Sequence, residues 1–214
     1  MPRPYRAGER QAASQPTRAR IVEAAVKLLG EPDQVGEFTV DAVAKRAGIS
    51  RMTVYYQFGS RAALLEAVLD DLADRGGMPE IATAMRQQNT EEALKTLVKV
   101  FCHFWASQRL AVRRLRALAV LDPELTGVFR DLRRRQMLDA LVERATSAAP
   151  IDSRRAEDAV DVLHTLTSFA TYDSMAHDAA DDEARVAALL QDLTVRILRD
   201  AVTPAQTVAH HTRT

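Results

Sequence analysis

Cysteine is almost missing from this chain. Cys102 is the only one, so no internal disulfide can form and a reducing compartment is expected. Glycine and proline number eight each in 214 residues, too few for the many tight turns of an all-β fold. No run of 18 or more apolar residues occurs, so no transmembrane helix and no membrane partner are expected. The N-terminal MPRPYRAGERQAASQPTR has no apolar stretch of the kind that directs secretion, and a cytoplasmic location is expected. The formal net charge is zero, which taken whole speaks against nucleic acid.

That zero averages two unlike parts. Residues 1–61 carry 10 Lys/Arg against 6 Asp/Glu, whereas residues 62–214 carry 19 against 23. A mildly basic end on an acidic body is the asymmetry expected when one end meets phosphate. Rings are the last scarcity. Only 11 residues are aromatic, yet Tyr55, Tyr56 and Phe58 fall within four positions.

What is abundant is helical periodicity, with no strand alternation longer than a few residues and no internal repeat. Residues 1–16 read as a flexible basic arm. Thr17 is placed to cap a helix to Leu29 with Ile21, Val22, Ala25, Leu28 and Leu29 on one face. Thr39 caps Val40 to Ala47, which Gly48 closes, and Ser50 caps a short helix through Gln57. A fourth helix spans residues 61–75. The remainder reads as helices near 80–88, 91–106, 108–121, 123–147, 153–176 and 182–201. The expected fold is therefore all-α. Its divisions are an arm at 1–16, a three-helix helix-turn-helix domain at 17–60, a larger helical domain at 61–202 and a flexible tail at 203–214.

The ring-rich segment, AGISRMTVYYQF, carries the chemistry. At 100° per residue, Val54 and Phe58 share one side, while Met52, Thr53, Tyr55 and Tyr56 look outward and Arg51 sits on the flank. Tyr and Thr hydroxyls bond phosphates, Met and Thr methyls touch thymine methyls, and Arg reaches guanine O6 and N7. Arg61, opening the next helix, adds a guanidinium beside free backbone N–H groups. The bland alternative is that all three rings are core of a three-helix domain.

Residues 38–68, FTVDAVAKRAGISRMTVYYQFGSRAALLEAV, resemble the DNA-binding signature of the TetR family of transcriptional regulators. The matching positions are Thr39, Val40, Asp41, Ala47, Gly48, Ile49, Ser50, Thr53, Val54, Tyr55, Tyr56, Phe58, Ser60, Leu64 and Leu65. Met52 stands where the family often has Gly, and Arg61 where it has Lys, a change of geometry at equal charge. The resemblance implies a homodimeric repressor that binds a palindromic double-stranded operator and releases it when a small molecule binds the larger domain. The candidate DNA-binding residues are Thr39, Ser50, Arg51, Met52, Thr53, Tyr55, Tyr56 and Arg61.

In the body, Phe101 and Trp105 lie on an apolar stripe, and Tyr172 and Met175 share a face. With Phe129 they are candidate walls for a largely apolar effector, although such stripes are more often plain core. Leu166, Phe169, Leu189, Leu190, Leu193 and Ile197 are candidate dimer contacts, as half of a four-helix interface. His103 and His164 lack metal-ligand spacing, so neither a metal nor a cofactor is expected. No nucleophile–base pair is evident, which disfavours the rival readings of an all-helical enzyme and leaves that of a protein-interaction module without specific DNA binding.

Overall fold

The computed structural model describes residues 6–31, 38–122, 132–147, 152–177 and 181–203, with side chains from residue 15 onward and not at residue 132. Every regular element among them is helical. The helices are α1 (Arg6–Gly30), α2 (Val40–Ala47), α3 (Arg51–Phe58), α4 (Arg61–Arg75), α5 (Ile81–Arg86), α6 (Thr90–Ser107), α7 (Arg109–Leu121), α8 (Leu132–Thr146), α9 (Ser153–Leu166), α10 (Phe169–Met175) and α11 (Asp182–Val202). A 3₁₀ turn, Met78–Glu80, precedes α5. No described helix is long and apolar enough to cross a membrane.

Two compact units divide the chain. One comprises residues 1–78 and 104–130, the other 79–103 and 131–214. The first unit thus takes in α4, the end of α6 and α7, beyond the boundary anticipated at residue 60. Its core is α1 packed on α2, α4 and α7, with Ile21, Ala25, Val43, Leu64, Leu65, Val68, Leu72 and Leu115 sealed from solvent. Arg114 of α7 donates to the carbonyls of Leu28 and Leu29, satisfying groups that the C-terminal turn of α1 leaves open. Gly76, after α4, is buried against the Phe104 ring, and a Cβ there would enter that ring.

The second unit is built on α8, α9 and α11, which pack on one another. Leu94, Leu97, Leu138, Leu141, Leu163 and Val186 form its interior. Polar ties close its ends: Arg199 grips Glu91 through Nε and Nη2 at 2.8 and 2.6 Å, and Gln191 donates to the Lys95 carbonyl. Arg144 donates to the Met85 carbonyl.

Two sequence expectations need correction. α1 begins at Arg6, so Thr17 lies inside it and residues 6–16 are no loose arm. The run GERQAAS, rich in helix formers after its glycine, carries the helix through Pro16, whose ring removes one backbone donor. The stretch 153–176 is two helices, because Ser168 leaves the helical conformation (φ −73°, ψ 155°) and its side chain caps α10 by accepting from Thr171 N. The stretch anticipated at 123–147 is described only as α8, from Leu132. Residues 123–131 and the tail from 204 lie outside the described residues.

Candidate nucleic-acid interface

α2 and α3 are positioned by caps that the sequence specifies residue by residue. Thr39 is extended, and its hydroxyl accepts from Ala42 N, opening α2. Gly48 sits at φ 65°, ψ 38°, the left-handed region that costs a Cβ-bearing residue steric strain. Around it Gly48 N donates to the Lys45 carbonyl and Ile49 N to the Ala44 carbonyl, so the chain turns sharply with its carbonyls satisfied. Ser50 then caps α3, its hydroxyl accepting from Thr53 N and lying 2.9 Å from the Thr53 hydroxyl. Helix, left-handed glycine and helix make a helix-turn-helix.

α3 is anchored on one side only. Val54 and Phe58 are buried, and the Arg18 guanidinium covers the Phe58 ring at 4.1 Å while bonding the Gln57 carbonyl. Met52 is 74% exposed and Tyr56 83% exposed, with Thr53 and Tyr55 half-buried between. Two large apolar or ring side chains in water on an eight-residue helix bury nothing in the protomer, and they form a contact surface. Arg51, in the first turn of α3, bonds Asp41 of α2 at 3.0 Å and the Tyr55 hydroxyl at 3.4 Å, its guanidinium 5.5 Å from the Tyr55 ring. These partners raise the Arg51 pKa above its ordinary value, the Tyr55 hydrogen bond first and the Asp41 charge next.

Arg61 is placed otherwise than its position in the motif implies. It opens α4 after the Ser60 cap, but its Nη1 is 2.5 Å from the Asp122 carboxylate and its Nη2 is 3.4 Å from the Phe38 carbonyl. Its side chain is 29% exposed, and its Nε is buried without a hydrogen-bond partner. As it stands, the guanidinium is engaged within the chain. No sequence signal ties residues 61 apart, and the motif alone did not show this pair or the Asp41–Arg51 bond.

The other candidates are scattered. Phe101 and Tyr172 are buried in the second unit and Met175 is half-buried there, whereas Trp105 counts with the first unit, its ring 4.7 Å from that of Phe104. Phe129 lies outside the described residues. Beside Phe101, at 5.9 Å from its ring, the buried Arg134 guanidinium donates to the Thr167 hydroxyl at 2.6 Å and to His164. Of the interface candidates, Phe169 and Leu190 are buried within the protomer, Leu166 and Ile197 are half-buried, and Leu189 and Leu193 are 45% and 42% exposed. His103 bonds Glu183, and no group of three or more His, Cys, Asp or Glu among the described residues could hold a metal ion.

A helix-turn-helix whose second helix shows a polar and ring-bearing face to solvent defines the class: a DNA-binding regulator. The chain matches the model of bacterial regulatory proteins of the tetR family over residues 21–68. It is 25% identical over 160 residues to the HTH-type transcriptional regulator EthR of Mycobacterium tuberculosis, covering 71% of this chain and 74% of that one. The EthR of Mycolicibacterium smegmatis is 28% identical over 156 residues, covering 70% and 68%. Among solved structures, a TetR transcription regulator from Haloarcula marismortui superposes with a TM-score of 0.65 at 19% identity, covering 87% of this chain and 98% of that one. PfmR from Thermus thermophilus does so with 0.59 at 23%, covering 83% and 97%. These structures share the fold: an N-terminal helix-turn-helix domain followed by a helical C-terminal domain.

Proposed function

We propose that this protein is a homodimeric, ligand-responsive repressor in the cytoplasm that reads a palindromic operator with α3. The observation that carries the reading is the outward face of α3, where Met52 and Tyr56 stand in solvent while Val54 and Phe58 fix the helix from behind. In each half-site α3 enters the major groove, with Arg51, Met52 and Thr53 at base edges. Thr39, Ser50, Tyr55 and Tyr56 serve phosphates. Arg61 reaches phosphate by exchanging Asp122 for it. The function divides into DNA reading at 17–60 and sensing and dimerisation at 61–202.

The second copy packs on the outer face of α9 and α11. Leu189 and Leu193, with Val162 at 40% exposure, are apolar groups turned away from the core. In a four-helix interface they meet their symmetry mates, and two reading helices then lie about 34–36 Å apart, one turn of B-DNA. A small, largely apolar effector against Phe101, Tyr172 and Met175 shifts the population away from the DNA-binding spacing. One structural relative, EbrR, is described as a multidrug binding protein and was solved with imidazole (TM-score 0.54, 21% identity, covering 82% of this chain and 93% of that one). The test is selection of bound sequences from random duplex DNA, followed by a screen for compounds that release the selected operator. Enrichment of an inverted repeat supports the reading, and a pool with no preferred sequence rejects it.

A further inference from the structure

Asp41 is a misplaced charge on any simple view of this surface. It lies in the first turn of α2 with its side chain 64% exposed, beside the N-terminus of α3. An acid in a first helical turn is ordinarily explained by the helix dipole. Here, however, the first turns of both helices belong to the face that meets DNA, where a carboxylate repels phosphate. Its partner resolves the conflict. Arg51 Nη1 sits 3.0 Å from Asp41 Oδ2, and both ends of the pair are more than half exposed, so the bond adds little to folding. What it does is hold a long side chain. The Asp41 carboxylate fixes one edge of the guanidinium, and the Tyr55 ring and hydroxyl flank another.

A tethered guanidinium has different uses from a free one. An untethered Arg in the first turn of α3 can swing to any phosphate, and gives affinity without sequence preference. Held by two partners, it still has N–H donors in a fixed fork, and the planar fork matches guanine O6 and N7. Resting on the DNA-reading function proposed above, we propose that Asp41 is a specificity-determining positioning residue: it holds Arg51 for bidentate reading of one guanine per half-site. The carboxylate touches no base. Its charge is neutralised by Arg51, so the repulsion of phosphate is offset as the fork is aimed.

The experiment is selection from random duplex DNA with the full chain, comparing wild type, Asp41→Asn, Arg51→Lys and Arg51→Ala, each checked for folding by thermal melting. The wild type is expected to enrich an inverted repeat with one strongly preferred guanine in each half. Arg51→Ala and Arg51→Lys should lose that preference, the Lys variant keeping the salt slope because its charge remains. Asp41→Asn should weaken discrimination at that same guanine by roughly 5–150-fold, the range for one good bidentate contact, with the other positions unchanged. If Asp41→Asn instead tightens binding to every sequence alike, the carboxylate is only a repulsive charge and the inference is overturned. It is overturned equally if Arg51→Ala moves no base preference. Asp41→Ser is the second variant should Asn not fold, since Ser is also tolerated in a first turn. A wild type that enriches no motif defeats the operator reading itself, whereas an enriched motif insensitive to position 41 defeats only this inference.

Discussion

Single residues divide here into those that hold the reading helix and those that use it. Val54 is 2% exposed, so Val54→Asp buries a carboxylate with no partner. That penalty rivals the whole stability of a small domain, about 5–15 kcal/mol. Loss of helical circular dichroism and of DNA binding together is the expected result. Tyr56→Ala, on the opposite face, should melt at the wild-type temperature and still weaken operator binding. Arg61→Ala should lower the melting temperature slightly and weaken operator binding mildly, because the ion pair with Asp122 is partly buried and contributes about 1 kcal/mol. Cys102 offers a control on packing. Burial pushes its thiol up to about 12. At neutral pH it is therefore a protected thiol, and alkylation should proceed only at the rate of opening. The unfolded thiol, at 9.0, loses its proton before the folded one, so this group's share of stability is present below about pH 9 and falls as pH rises toward 12.

At the scale of helices, α9 and α11 allow a sharp comparison. Leu190 is 1% exposed, and Leu193, one turn further along α11, is 42% exposed at the edge of the same side. Leu190→Glu should unfold the second unit. Leu193→Glu should leave a folded chain that sediments near 23.7 kDa, the mass of one chain, and binds operator weakly. A Leu193→Glu protein that remains dimeric removes this face from the interface. The Glu91–Arg199 clasp between α6 and α11 adds a pH dependence. Arg199 holds the Glu91 carboxyl below its ordinary value, so the clasp stabilises above about pH 4.5 and is lost as pH falls through the lowered value. A drop in melting temperature on acidification, reduced in Glu91→Gln, is the expected observation. Elements were legible in the sequence wherever a cap or a glycine marks them: Thr39, Gly48 and Ser50 bound α2 and α3 as anticipated. The break at Ser168 was hidden because the apolar pattern of α9 continues into α10, and periodicity reports faces, not caps. The outward positions of Met52 and Tyr56 followed from helical geometry alone. The engagement of Arg61 did not, since its partner is 61 residues away and only packing of α7 brings it near.

For the whole molecule, the effector sensing proposed above requires reciprocal coupling with DNA reading. Operator should weaken effector binding by the factor, typically about 5–150, by which effector weakens operator binding. Trp105 is the only tryptophan, and its emission reports on the packing around Phe104. The central claim, however, is that α3 reads sequence, and equilibrium binding of the full chain tests it most directly. Affinity for the selected operator should be compared with that for a scrambled duplex of equal length, across a salt series, for wild type and for Met52→Ala with Tyr56→Ala. Wild type should prefer the operator by about 10³-fold or more, and the double variant should keep its fold, bind both duplexes more weakly through the loss of Tyr56 and lose much of that preference through the loss of Met52. Equal affinity of wild type for both duplexes, or an undiminished preference in a folded double variant, would contradict the account.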